Sequence, residues 1–270
     1  MASYDDERYL HGHHESVLRS HSWRTAENSA AYLVPHLQPG MSVLDVGSGP
    51  GTITLDLARM VSPGAVIGVD ASEQVVANAT GLAADHDLHN LSFRVGDAYA
   101  LEFEDASFDV VHAHQVLQHL ADPVAALREF RRVLKPGGIL AVRDVDYGAT
   151  VWHPGLPGLS SWLRIYQEAA RTSGGEPFAG RHLKAWAIQA GYRQIEATAS
   201  VWCFSSDADR EWWGGSWADR TTESGFATQA IEGGHATLTD LREIAQAWRD
   251  WVASSDGWIA LTHGEIIARK

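Results

Sequence analysis

The sequence predicts a doubly wound α/β fold: a mainly parallel sheet with helices on both faces. Three observations carry that expectation. Strand and helix signals alternate from Gly40 to about Gly148. The strand segments are short and almost continuously apolar, as strands buried on both faces must be. The first of them runs into a glycine-rich turn, "LDVGSGPGT" at Leu44–Thr52, which opens a helix.

The elements follow in order. "SVLDVG" reads as a buried strand, and Ile53, Leu57, Met60 and Val61 then recur at helical spacing until "SPG" at Ser62–Gly64 stops the helix. "AVIGVD" is the second strand, and Ser72 opens a helix carrying Val75, Val76, Ala79 and Leu82. "LSFRVGD" and "FDVVHAH" are the third and fourth strands. Asp122-Pro123 is a helix start, a carboxylate N-cap followed by proline at the first helical position. "KPGG" ends that helix and "ILAVRDVD" is the fifth strand. Before residue 40 a helix is expected from about Thr25 to His36, behind a histidine-rich piece. After residue 150, "HPGLPG" reads as a loop, "LSSWLRIYQEAART" and "GRHLKAWAIQAG" as helices, and "QIEATASVWCFS" as a strand. Leu241, Ile244, Ala245, Trp248 and Val252 mark a further helix, and "GWIALTHGEIIARK" a final strand. No linker or repeat divides the 270 residues. One domain is expected: 1–39 as an N-terminal helical cap, 40–150 as a ligand-binding core, and 151–270 as helices and final strands, with a lid insertion at about 205–255.

Composition narrows the function. The formal net charge of -13 argues against a nucleic-acid or anionic-membrane partner, because neutralising phosphates needs clustered Lys and Arg. No apolar run approaches the length of a membrane span, and "MASYDDERYLHGHH" lacks the apolar core of a signal peptide. With Cys203 as the one cysteine, neither an internal disulfide nor a cysteine metal cluster can form. The expected location is the cytoplasm. His11, His13 and His14 find no second cluster to complete a metal site, so no metal is expected.

The glycine turn asks which ligand approaches the backbone. A dinucleotide fingerprint is G-x-G-x-x-G/A. Gly47, Gly49 and Gly51 are spaced G-x-G-x-G, with Thr52 where the third glycine belongs and Pro50 removing an N–H. A phosphate P-loop is excluded by the lack of G-K-[ST]. Asp70, ending the second strand, can accept both hydroxyls of a ribose, and Asp97, ending the third, can accept from the exocyclic amine of an adenine.

"VLDVGSGPG", "GVDAS", "VGDA", "FDVVHAHQVLQHLADP" and "RRVLKPGGILAVRD" together resemble the class I S-adenosylmethionine-dependent methyltransferases, particularly small-molecule enzymes of the ubiquinone/menaquinone type. The match covers roughly residues 40–150. It implies a Rossmann-like, seven-stranded sheet with a helical cap and lid. It further implies that Gly47, Ser48 and Gly49 lie against the methionine part of S-adenosylmethionine, and that Asp45 organises the turn and the ammonium side. Asp70 would hold the ribose hydroxyls with Ala71 near the adenine, Asp97 and the Ala98 amide would read the adenine edge, and His114 and Gln115 would line the cleft. Arg24 or Thr25 would lie near the cofactor carboxylate.

Methyl transfer needs an acceptor held in line and water excluded, and a base only where the acceptor must lose a proton. Candidates for that base are His14, His21 and Asp146. Asp144 and Tyr147, in "RDVDYG", are placed to face the acceptor, although Arg143 and Asp144 could equally form a structural ion pair. Trp213, Trp217 and Arg220 fall on one face if "DADREWWGGSWADR" is helical, which Gly214 and Gly215 weaken. An aromatic lid suits a flat or hydrophobic small-molecule acceptor, methylated at oxygen or carbon. Trp186, Trp248 and Trp251 are expected to pack the helical layer. A homodimer is compatible with these features. Two other readings stand beside this one: an NAD-dependent oxidoreductase on a similar fold, and a protein that keeps the cofactor without transferring methyl, such as a cyclase or binding protein.

Overall fold

The computed structural model describes residues 23–270. His14 and His21 therefore lie outside the described residues. Among the described residues, no helix is long and apolar enough to cross a membrane.

The described residues begin with a short helix, α1 (Ala26–Ser29), capped by the Thr25 hydroxyl in a capping box with Asn28. The single helix expected over Thr25–His36 is instead this turn followed by a 3-10 turn at Val34–His36. The helix stops at Ala30, whose φ of -135° is not helical, and Pro35 lies within the 3-10 turn, near the start of a helical segment where its missing N–H costs little. Five parallel strands follow: β1 (Val43–Val46), β2 (Val66–Asp70), β3 (Leu91–Val95), β4 (Phe108–His114) and β5 (Leu134–Val145). Between them run α2 (Thr52–Val61), α3 (Glu73–Asp85) and α4 (Pro123–Val133). Ser72 and Asp122 cap the last two through side-chain acceptors, as their sequence positions predict. "KPGG" lies inside β5 rather than before it, where the pairing with β4 shifts register between Phe108 and Val110.

Beyond β5 come β6 (Val151–His153), α5 (Pro157–Thr172), α6 (Ala179–Gln189) and β7 (Arg193–Phe204). Then α7 (Asp207–Glu223), α8 (Gly225–Glu232) and α9 (Leu238–Ala253) lead into β8 (Trp258–Arg269). The strand order is β3-β2-β1-β4-β5-β8-β6, with β7 also paired to β8. β8 runs antiparallel to β5, β6 and β7. Among the described residues the sheet is thus mainly parallel, of eight strands, the eighth being the three-residue β6. Strand order reverses between β1 and β4, which opens the ligand crevice of a doubly wound sheet at their carboxyl ends.

Three apolar cores hold the layers. Ala26, Leu33, Ile53 and Leu57 pack one sheet face against Val43, Val110, Ile139 and Ala141. On the opposite face, Leu127 and Phe130 of α4 and Leu183 and Ala187 of α6 meet Leu44, Val111, Leu140 and Val142. Gly264 lets α6 come close, because a Cβ there would lie 2.0 Å from the Gly180 carbonyl oxygen. The third core is aromatic: Trp162, Trp213, Trp217, Trp248 and Trp251 with Tyr147, Tyr166 and Phe226.

Candidate cofactor and acceptor site

The glycine turn is built to bring backbone to the crevice. Gly47, Gly49 and Gly51 all have left-handed φ, at 68°, 55° and 86°. Their neighbours pin the loop to β2: the amides of Gly47 and Ser48 donate to the Val69 carbonyl at 2.7 and 3.0 Å. A side chain at Gly47 would collide with Val116, 2.3 Å from its Cγ2, whereas Gly49 faces open space. The Asp70 carboxylate lies at the lip of this loop, accepting from the Gly49 amide at 3.0 Å and the Ser72 amide at 3.1 Å. The Gly96 amide donates to the Asp70 carbonyl, so the ends of β2 and β3 lie level. Asp97 Oδ1 accepts from the Tyr99 amide at 2.8 Å, and Ala98 is buried beside it. Ala71 is half-buried next to Asp70.

Asp45 sits lower than the resemblance implies. It is buried, with one oxygen accepting from Thr54 Oγ1 at 2.6 Å and the other 2.7 Å from His112 Nδ1. It therefore fastens β1 to α2 and β4 beneath the loop, which organises the turn from below. Both oxygens are engaged there.

The wall of the crevice comes from β4 and the chain entry. His114 ends β4, and Gln115 follows it with a left-handed φ of 55°. The Gln115 side chain bridges Arg24 Nη2 and His263 Nε2, each at 2.9 Å. Arg24 also lies over the Trp202 ring, and Thr25 caps α1 next to it. The fully buried imidazoles of His114 and His263 are held far below the usual histidine range, first by burial and then by neighbouring guanidinium groups. Both rings are neutral at physiological pH.

β5 separates the remaining candidates. Successive side chains on a strand point to opposite faces, so Arg143 and Asp144 do not pair. Arg143 Nε meets Glu265 Oε1 and Ser200 Oγ at 3.1 Å each. Asp144 points toward the 3-10 turn at Leu117–His119, accepting from the Gln118 amide at 3.2 Å. Burial raises its carboxyl to about 8. Asp146, expected as a base, grips Arg181 through both oxygens and also accepts from the Gly148 amide. That pairing makes it a structural carboxylate holding α6 to the end of β5.

Tyr147, Trp217 and Arg220 do come together, but inside the aromatic core. Tyr147 packs on Tyr166 at 4.1 Å, Trp162 joins Trp217 at 4.8 Å, and the Arg220 guanidinium covers the Trp217 ring at 5.3 Å. Trp213 stacks on Phe204 at 4.5 Å. Trp217 is 0% exposed, so its ring packs the core rather than lining an open lid. The reason is visible at Gly214. A Cβ there would meet Val252 at 2.6 Å and Trp251 at 2.9 Å, so the glycine lets α7 lie directly on α9 instead of breaking the helix. Trp248 and Trp251 pack this layer as expected, and Trp186, on α6, packs half-buried against the core formed with α4.

Sequence reasoning passed over Trp202, Glu265, His263 and Ser200, which ring Arg143. Their signal was present: Thr198, Ser200 and Trp202 alternate along β7, and His263 and Glu265 along β8. Period-two spacing puts each set on one face.

A family profile described as a methyltransferase domain matches residues 37–191. An uncharacterized methyltransferase of Schizosaccharomyces pombe is 35% identical over 271 residues, covering 97% of this chain and 96% of its own. The demethylmenaquinone methyltransferase of Lactococcus lactis is 36% identical over 141 residues, covering 52% of this chain and 54% of its own. The crystal structure of the YcgJ protein of Bacillus subtilis superposes with a TM-score of 0.60 at 23% identity, covering 89% of this chain and 97% of that one. The sequence likeness extends over almost the whole chain, well beyond the glycine loop, and this protein belongs to the class I methyltransferase family.

Proposed function

We propose that this methyltransferase moves the methyl group of S-adenosylmethionine to a small, aromatic or otherwise hydrophobic acceptor, at oxygen or carbon. One observation carries the choice of cofactor. At the reversal of strand order the turn offers three left-handed glycines and the buried Ser48 hydroxyl, which has no hydrogen-bond partner, with Asp70 at its lip. Such a cradle wants a polar ligand without phosphate, and the residues fit one. Gly47, Ser48 and Gly49 would hold the methionine end, Asp70 with Ala71 the ribose and its neighbourhood, and Asp97 with Ala98 the adenine edge. Bound there, S-adenosylmethionine supplies an electrophilic methyl group on a sulfonium.

The chain's own work is positioning and exclusion of water. His114, Gln115, Arg24 and Thr25 wall the crevice beside the end of β4, where an acceptor would lie. Trp23 and Trp202 give that wall an apolar edge-to-face pair, their rings 5.3 Å apart and 86° to each other. His14 and His21 remain candidates for a base. An acidic chain of net charge -13 fits a small acceptor better than a polyanion.

Titration calorimetry with S-adenosylhomocysteine and with NAD tests this reading. Binding of S-adenosylhomocysteine without NAD is expected, and the reverse overturns it. Incubation with methyl-labelled cofactor and phenol or enol acceptors should then label an acceptor. Cofactor binding with no label on any acceptor class would point to a non-transferring protein.

A further inference from the structure

The crevice opens where β1 and β4 part, and a buried side-chain pair lies just below that point. The two strands pair from Val43↔Val110 to Val46↔Ala113, with Asp45 directly opposite His112. Both side chains are buried, and His112 Nδ1 lies 2.7 Å from Asp45 Oδ1. Nδ1 is the donor in this pair, since a carboxylate accepts. The other Asp45 oxygen accepts from the Thr54 hydroxyl, in the first turn of α2, at 2.6 Å. One carboxylate therefore ties β4, β1 and α2 together. Asp45 and Thr54 also flank the turn at Gly47–Gly51, so their bond closes that loop across its base. The tie matters because α2 has no side-chain cap, its N-cap position being Gly51.

Packing alone does not call for a histidine here. His112 Nε2 is buried without a hydrogen-bond partner, a cost that an aliphatic side chain would not carry. Two residues back along each strand, on the same face, fully buried Val43 stands opposite fully buried Val110. What the imidazole adds at the next position is a directed N–H. Without it one oxygen of a buried carboxylate would lose its partner, and the group could turn away from Thr54. The loop above has little slack. A Cβ on Gly47 would lie 2.3 Å from Val116 Cγ2, in the turn that follows β4. A change in how β1 stands against β4 therefore passes directly to the glycine turn. Binding groups keep their geometry only when the residues that support them are themselves fixed.

We infer that His112 is a positioning residue for the cofactor loop. Its Nδ1–H holds the Asp45 carboxylate in the orientation that also engages Thr54, and so sets how the Gly47–Gly51 turn stands against the end of β4. It acts through Asp45 rather than on the cofactor. This role rests on the proposal above that the turn receives S-adenosylmethionine, and deepens it by naming the side chain that keeps the cradle in shape.

The test is titration calorimetry of S-adenosylhomocysteine on the full chain, with denaturant melts of each variant alongside. His112→Asn can place its amide nitrogen where Nδ1 stands, whereas His112→Gln reaches the Nε2 position and leaves Asp45 unheld. Both should lower stability, but affinity should separate them. The Asn variant should bind within about three-fold of wild type and the Gln variant about ten-fold or more weaker, as expected for loss of one hydrogen bond to a charged group. Val110→Ala loosens the same strand pair without touching the tie, and should leave affinity within about two-fold of wild type. Thr54→Val removes the other arm of the tie with little change of shape and should weaken binding, which keeps the tie testable if a His112 variant does not fold. Wild-type affinity in His112→Gln, or equal losses in the Asn and Gln variants, overturns the role given to His112. So does a loss in Val110→Ala as large as in His112→Gln, because affinity would then follow general loosening, and so does unchanged affinity in Thr54→Val. No binding of S-adenosylhomocysteine by the wild type would instead sink the reading of the turn as a cofactor cradle, and this role with it.

Discussion

The two ends of the sheet are made of different materials. From β3 to β4 the carboxyl ends carry glycines, short carboxylates and backbone amides, and the loop at Gly47–Gly51 is shaped by φ angles and main-chain hydrogen bonds. From β5 to β7 the sheet carries Arg143, Glu265, His263 and Trp202, and beyond them five interlocked tryptophans. A ligand held by main chain needs a local stretch whose conformation is fixed by residue type, chiefly glycine. A cluster built from side chains needs groups that converge from distant segments. Arg143, Ser200 and Glu265 are drawn together across more than a hundred positions of sequence. One half of this molecule is therefore specified locally, and the other only by packing.

The largest effect expected concerns the separation of the halves. Trp217→Ala should destabilise the protein by roughly 3–5 kcal/mol, as fully buried aromatic truncations do, while S-adenosylhomocysteine affinity at low temperature stays near wild type. Denaturant melts and calorimetry on one preparation would show both, and loss of cofactor binding in a still-folded variant would break the comparison. Asp70→Ala should do the opposite. Losing the carboxylate proposed to hold the ribose should weaken S-adenosylhomocysteine by roughly 10- to 100-fold with a small change in melting temperature.

Asp144 gives a pH signature for the β5 side. Its folded pKa of about 8 stands above the ordinary carboxylate value near 3.9, so the folded state holds the proton more tightly. The sign is that of an acid raised on folding: its stabilisation is complete below about pH 4 and is lost as pH rises toward about 8. Asp144→Asn keeps an acceptor for the Gln118 amide and should flatten that decline, gaining roughly 1–2 kcal/mol over wild type at pH 8. Unchanged pH dependence of unfolding in the variant would remove the role assigned to Asp144. The smallest effect belongs to Thr237→Ala, which removes the capping box of α9 and should cost about 1 kcal/mol. Because α9 serves only the aromatic half, cofactor affinity should not move.

Much of the fold is legible in the sequence because its signals are local. The apolar strands, the Ser72 and Asp122 caps and the glycine turn all appear where their residue types place them. The Thr25 capping box is equally local, yet α1 stops at Ser29 where a longer helix was expected. Gly214 misleads for a complementary reason. In sequence it is a helix breaker, and only the presence of Val252 and Trp251 across the interface makes it a packing residue. Trp213 and Trp217 likewise read as a lid until α5 and α9 are seen to cover them.

By itself, then, the sequence determined the α/β class, the doubly wound core and the left-handed glycine loop between β1 and α2, because each depends on residue type within one strand–turn–helix unit. Tertiary structure alone decided that Arg143 pairs with Glu265 rather than Asp144, that Asp146 holds Arg181, and that the Arg143 guanidinium is buried beside His114. Those facts depend on which strand lies next to which and in what register. β8 threads back between β5 and β7 from the far end of the chain, and no local pattern sets its alignment.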